Sequence, residues 1–207
     1  TGSEWYYFDT GSEPVSQSGT NWYESTYNYS GWDYGPSVLG FGAVGGLNFG
    51  TLVNNASTLY FRTSFTVNNP SATSTYKLDV LFEDGGVLYL NGSEIVRYNM
   101  PAGTITNSTF AAADKGSPED AYETYFISGA NLVNGVNYLA SSNHQRNSTS
   151  SDGGFDLIIT RDDNFYLASA NDTWDYYDSG NQPSVDASSN PWNIAAYNPS
   201  VAWNSGQ

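Results

Sequence analysis

Two groups of residues have types and spacing that could do chemistry. Glu83 and Asp84 stand side by side ahead of Gly85 and Gly86 in "FEDGGVLYLNG". Adjacent carboxylates and the carbonyls of a glycine turn are hard oxygen ligands, the kind Ca²⁺ collects in sets of about six to eight. The same four residues also read as a charged turn, with the glycines chosen for positive φ. The second group is aromatic: Trp22, Tyr23, Tyr27, Tyr29, Trp32 and Tyr34 crowd a stretch of low apolar periodicity. Flat rings of this kind stack pyranose rings, and Asn28 and Asp33 could take the hydroxyls. Trp22 and Trp32 could instead anchor a long loop to the body of the protein. Tyr29 and Tyr34 are the better candidates for a binding surface.

Other chemistries find little to work with. The chain has no cysteine and one histidine, His144 in "NHQRN", which excludes a Cys-His dyad and a transition-metal site and gives a Ser-His-Asp triad little support. Its 21 acidic residues form many pairs, yet no spacing singles out two for glycoside hydrolysis. No phosphate loop, dinucleotide fingerprint or HExxH motif occurs. No catalytic residue is assigned, and the expectation is a protein without catalysis of its own.

Six Lys and Arg against 21 Asp and Glu give a net charge of −15. Such a field repels nucleic acid and anionic lipid and attracts cations. No stretch reads as a membrane insertion. The sequence starts at Thr1 without a visible signal peptide, which reads as a mature or excised fragment. Its cysteine-free, Tyr/Asn/Ser/Thr-rich style suits an extracellular or cell-surface module. Sequons at Asn28, Asn55, Asn91, Asn107, Asn147 and Asn171 are weak evidence in so Asn-rich a chain.

The elements that must position these residues read as β throughout. With 16% aromatic residues, only 13% charged ones and 21 glycines, the composition favours aromatic strands joined by turns over amphipathic helices. Period-2 alternation marks strands over 57–67 and 76–83, and further strands fall at 122–128, 137–143 and 155–161. Between them, Asn91-Gly92 separates two apolar runs, the strongest hairpin signal in the chain, because both residues tolerate φ > 0. Turn signals every ten to twenty residues, between about eight short strands, predict an all-β, antiparallel jelly-roll sandwich.

The opening motif begins again near the end. "WYYFDTGSEP" at 5–14 aligns without a gap on "WDYYDSGNQP" at 174–183, matching Trp5 with Trp174, Tyr7 with Tyr176, Asp9 with Asp178, Gly11 with Gly180 and Pro14 with Pro183. Trp192, Tyr197 and Trp203 then follow the spacing of Trp22, Tyr27 and Trp32, with at most one gap allowed in each interval. The expected organisation is a sandwich over 1–161, a linker over 162–172 and a partial second repeat over 173–207. So short a segment cannot bury Trp174, Tyr176, Tyr177, Trp192 and Trp203 by itself. It is either the start of a longer array or an element docking head-to-tail on another copy.

Taken together, "WYYFDTG", "WDYGPSVLGFG", "LYFRTSFTV", "EDGGVLYLNG", "NMPAGTIT" and "NHQRNSTSSDGGFDLIIT" resemble a galactose-binding-domain-like jelly roll of large secreted bacterial proteins, over residues 4–161. The resemblance implies a β-sandwich acting as an accessory or surface module. "EDGGVLYLNG" also resembles the acidic turn of calcium-dependent sugar-binding sandwiches, with Glu83-Asp84 where paired aspartates are common. The resulting expectation is a module that binds a polysaccharide or other glycan, with Ca²⁺ as a candidate cofactor. The alternative is a self-associating repeat of an adhesin or extracellular filament.

Overall fold

The computed structural model of the chain describes residues 2–162, 174–176 and 204–206. The chain divides into two compact units, Thr1–Asp163 and Asn164–Gln207. In the first, eleven strands run in chain order: β1 Glu4–Phe8, β2 Asp33–Pro36, β3 Leu39–Phe41, β4 Thr51–Leu52, β5 Thr58–Val67, β6 Thr75–Glu83, β7 Gly85–Leu90, β8 Ser93–Tyr98, β9 Glu123–Ser128, β10 Gly135–His144 and β11 Gly153–Asp162. One 3₁₀ turn, Gly129–Asn131, is capped by the Ser128 hydroxyl, which accepts from the Ala130 N–H.

The strands form two sheets, of order β2-β1-β5-β10-β7-β8 and β4-β3-β11-β6-β9. Their ladders are antiparallel apart from the short parallel pair of β3 and β4. This is the expected sandwich. The segments at 57–67, 76–83, 122–128, 137–143 and 155–161 are strands β5, β6, β9, β10 and β11. Asn91 and Gly92 form the β7–β8 hairpin tip with φ of 51° and 88°, between the paired Leu90 and Ser93. Both residues take the left-handed conformation that the dipeptide tolerates and most side chains resist.

Between the sheets lies an apolar core. Trp5 meets Phe155 edge-on at 5.0 Å between centroids, Phe155 stacks on Phe61 at 4.5 Å, and Leu78, Val80, Phe82 and Leu88 are fully buried around them. Each comes from the inward set of its strand, since alternate side chains point to opposite faces. β1 is thereby locked twice: its backbone pairs with β2 on one side and β5 on the other, and Trp5 plugs the core. Gly35, opposite Trp5, has no room for a side chain, because a Cβ there would lie 2.3 Å from the Thr51 hydroxyl.

In the second unit, β12 Trp174–Tyr176 pairs antiparallel with β13 Asn204–Gly206. Trp174 pairs with Gly206 and Tyr176 with Asn204. Strand β1 pairs with β2 in the same way, Trp5 with Gly35 and Tyr7 with Asp33. Tyr177, Trp192 and Trp203, expected to take part in self-association, lie outside the described residues.

Candidate functional site

A second, smaller core lies on the outer face of the six-stranded sheet. The long connection from β1 to β2 folds back over that face and buries Trp22, Tyr27 and Trp32 against Tyr60, with Phe8, Tyr29 and Tyr89 around them. Trp22 meets Tyr60 edge-on at 4.8 Å, and Tyr23 stacks on Tyr89 at 4.5 Å. The two tryptophans are thus anchors of the loop. Arg62 on β5 fastens it from beneath: fully buried, it donates to the carbonyls of Trp22 and Glu24 and lies 4.7 Å from the Tyr29 ring centroid. Cation–π contact and two carbonyls together compensate a charge that would otherwise be costly to bury.

The fastened loop brings Tyr29 beside the sheet edge. Its ring meets that of Tyr6 at 4.9 Å, and Tyr6 meets Tyr34 at 5.9 Å. Tyr6 and Tyr34 are register partners, so both project from the outer face, 37% and 71% exposed. Tyr6, Tyr27, Asn28, Tyr29 and Ser30 line a shallow hollow of about 170 Å³ beside them. It is small next to the roughly 300–1,000 Å³ of an enclosing ligand pocket and suits a ring lying flat. Asn28 accepts the Ser30 N–H with its Oδ1, so its side chain offers a ligand the Nδ2 donors. Of the sequence candidates, Tyr29, Tyr34 and Asn28 come together here. Asp33 does not: it pairs with Tyr7, on the opposite face of β2 from Tyr34, and after burial its charge is the next cause raising the Tyr7 pKa. Sequence reasoning missed Tyr6. Its signal was available in the repeat, where the aligned residue is Asp175.

Glu83 and Asp84 lie at the β6–β7 junction, both 3% exposed and joined by a cis peptide. Asp84 clasps two loops: Oδ1 accepts the Lys115 N–H at 3.0 Å and Oδ2 the Arg146 N–H at 2.9 Å. Glu83 Oε2 is buried without a hydrogen-bond partner, as are Asn143 Oδ1 and Gln145 Oε1. Burial first, then the hydrogen bond and charge of Asp84, push the Glu83 carboxyl up to about 9. Gly85 and Gly86 correct the turn reading, since neither has a positive φ. They are strand residues squeezed by neighbours, and a Cβ on Gly86 would lie 2.2 Å from the Phe82 ring. Asn143, which donates its Nδ2 to the Glu83 carbonyl at 2.8 Å, adds an orphaned amide oxygen to the two carboxylates, and these are donors of the type Ca²⁺ takes, so the residues fit the ion in ligand chemistry. Among the described residues no group of three or more His, Cys, Asp and Glu is arranged to hold a metal.

The acidic pair and the tyrosines are separated. Strands β1, β5 and β10 stand between β2 and β7 in the sheet, so an ion at Glu83 would not touch a ligand on Tyr34. His144 is buried and neutral. Its Nδ1–H donates to the Thr109 carbonyl at 2.8 Å, Nε2 accepts from the Ser142 hydroxyl at 2.9 Å, and burial lowers its pKa to about 4. It ties β10 to the 106–109 turn. A larger cleft of about 330 Å³ opens between the sheets beside Trp5, Phe65, Leu139, Leu157 and Ile159. Its walls mix these apolar side chains with Ser3, Thr63, Ser64, Tyr76 and Arg161.

No protein-family model matches the chain, and neither does any curated protein. Among solved structures it is similar to a β-glycosidase from Bacteroides vulgatus, at 13% identity over 77% of this chain and 20% of that one, with a TM-score of 0.39. It is also similar to a glycosyl hydrolase family 2 member from Bacteroides cellulosilyticus DSM 14838, at 10% identity over 76% and 20%, TM-score 0.43. A third is the PA14 domain of the antifreeze protein MpAFP, at 13% identity over 78% and 82%, TM-score 0.33. The chain spans about a fifth of the length of these glycosidases. Among its described residues no helix is long and apolar enough to cross a membrane.

Proposed function

We propose that this chain is a non-catalytic extracellular β-sandwich module that binds glycans on the outer face of its six-stranded sheet. The observation that carries the reading is the convergence of Tyr6, Tyr29 and Tyr34, the first and last exposed, beside a shallow hollow edged by Asn28. Tyr29 also serves the fold through its contact with Arg62, whereas Tyr34 is 71% exposed. The repeat places Asp175 and Ser205 at the positions of Tyr6 and Tyr34 in the same strand pairing. Tyrosines with apolar faces and hydroxyl edges suit the C–H faces and hydroxyls of a pyranose. Affinity electrophoresis through a panel of polysaccharides tests this. At least one should retard the wild type; Y34A should be retarded less with an unchanged melting temperature, and Y29A should be retarded less and also melt lower, because it removes the ring over the buried Arg62. No retardation by any polysaccharide, or equal retardation of the variants, overturns the reading.

Calcium enters the proposal as a structural assistant. Glu83 and Asp84 would hold it, with Asn143 next to Glu83, and its charge would let Glu83 ionise. An ion bound only by the folded state raises the melting temperature by mass action. Calorimetry of chelator-treated protein with and without millimolar calcium decides the matter, and superimposed curves remove the metal.

A further inference from the structure

The second copy of the opening motif keeps a particular subset of residues. In the first copy, Trp5 fills the core against Phe155, and Gly35 is glycine because Thr51 leaves no room for a Cβ. The Asp9 carboxylate accepts the Asn54 N–H at 2.7 Å, and Gly11 turns at φ 75° next to Ala56. Each of these contacts is with the sandwich body, and residues 51–56 and 155 have no counterpart within 174–207. Yet the residues that meet them are all repeated, as Trp174, Gly206, Asp178 and Gly180. The two outward residues of the pairing, Tyr6 and Tyr34, are replaced by Asp175 and Ser205. The segment therefore carries the pattern needed to fit a surface that it does not itself contain. Its backbone has the matching form, since β12 and β13 pair in the register of β1 and β2. In the first copy β1 has β5 as its other neighbour, whereas β12 pairs only with β13 among the described residues. An isolated two-stranded ribbon is marginal in water.

We propose that residues 174–206 are a second β1–β2 ribbon whose docking surface is the β5 edge and core of the sandwich of a second copy of this chain, where they take the place of residues 4–36. Each body offers one such place and each chain carries two ribbons. Exchange between wild-type copies therefore gains little, because every seated ribbon displaces an equivalent one. Weakening the resident ribbon tips that balance toward the incoming one, and the joint is head-to-tail, so it extends into open chains or rings.

The test uses full-length chains: wild type, W174A, W5A and W5A/W174A, with Trp5→Phe beside W5A as a milder weakening. Light scattering over a concentration series reads mass, and calorimetry reads melting. The expected result is that W174A behaves as the wild type. W5A and W5F should form concentration-dependent dimers and larger species that melt well above W5A/W174A, which no longer associates. Equal mass and melting of W5A and W5A/W174A overturns the proposal, as does a W5A chain that stays unfolded at every concentration. A W5A chain that remains monomeric yet depends on Trp174 for its melting temperature means that the ribbon seats on its own body, and it overturns the assignment to a second copy.

Discussion

Residues 4–36 and 174–206 set one motif in two settings, and what differs between them separates framework from surface. The positions packed tightly into the body of the sandwich are kept, as Trp5 and Gly35 are in Trp174 and Gly206. The two exposed outward positions of the strand pair are not kept: Tyr6 and Tyr34 give way to Asp175 and Ser205. The inner set is dictated by close packing, in which a buried ring or a missing Cβ has little tolerance for change. The outer pair is more exposed: Tyr34 is 71% exposed, and Tyr6 packs on Tyr29 beside it. Under the proposed function, its aromatic character in the first copy answers to a ligand.

The comparison breaks or sharpens in a definite order. The largest effect is expected from R62M, which leaves the Trp22 and Glu24 carbonyls without their donor at about 1–3 kcal/mol each and frees the loop that carries Tyr29. Denaturant unfolding should show the loss, and glycan retardation should fall with it. Next comes G35A, expected to cost about 1–3 kcal/mol because Thr51 and its hydrogen bond to the Pro36 carbonyl must shift. G206A should leave the melting of the sandwich unchanged, and equal effects of the two would erase the distinction between the settings.

A pH series examines the body alone. Glu83, with a folded pKa raised to about 9, binds a proton more tightly when folded, so its contribution is full below its ordinary value and is lost as pH rises toward 9. His144, lowered to about 4, acts in the opposite sense and finishes by about pH 6.5. In chelator, the melting temperature should fall from pH 6.5 to 9, and E83Q should flatten that limb. A flat wild-type limb would show that Glu83 ionises without cost. The smallest effect on stability belongs to Y34A, within about 0.5 kcal/mol at an exposed site. Its glycan affinity should nonetheless drop roughly tenfold, matching the loss of about 1.4 kcal/mol of stacking.

The long strands were legible because alternation and turn chemistry are local: a run such as 57–67 shows its period regardless of its partners. Strands β2, β3 and β4, of four, three and two residues, were not legible. So short a run has no period, and it becomes a strand only because β1 and β11 present hydrogen-bonding edges to it. Gly85 and Gly86 misled for a related reason, as their constraint comes from Phe82 and Ala111 in space and not from a turn.

By itself, the sequence determined the all-β class, the Asn91-Gly92 hairpin, and the repeat and its retained residues, and it offered Tyr29 and Tyr34 as surface candidates over Trp22 and Trp32. All of these follow from periodicity, φ preference or comparison within the chain. Only the tertiary structure decided that Tyr6 joins the platform and Asp33 leaves it. It also decided that Arg62 holds the loop from below, and that the β6–β7 junction with Glu83 and Asp84 is kept apart from the tyrosines by strands β5 and β10. Those facts depend on which strands become neighbours and which face each side chain takes. Both are fixed by contacts between residues far apart in the chain, and local sequence pattern carries no record of them.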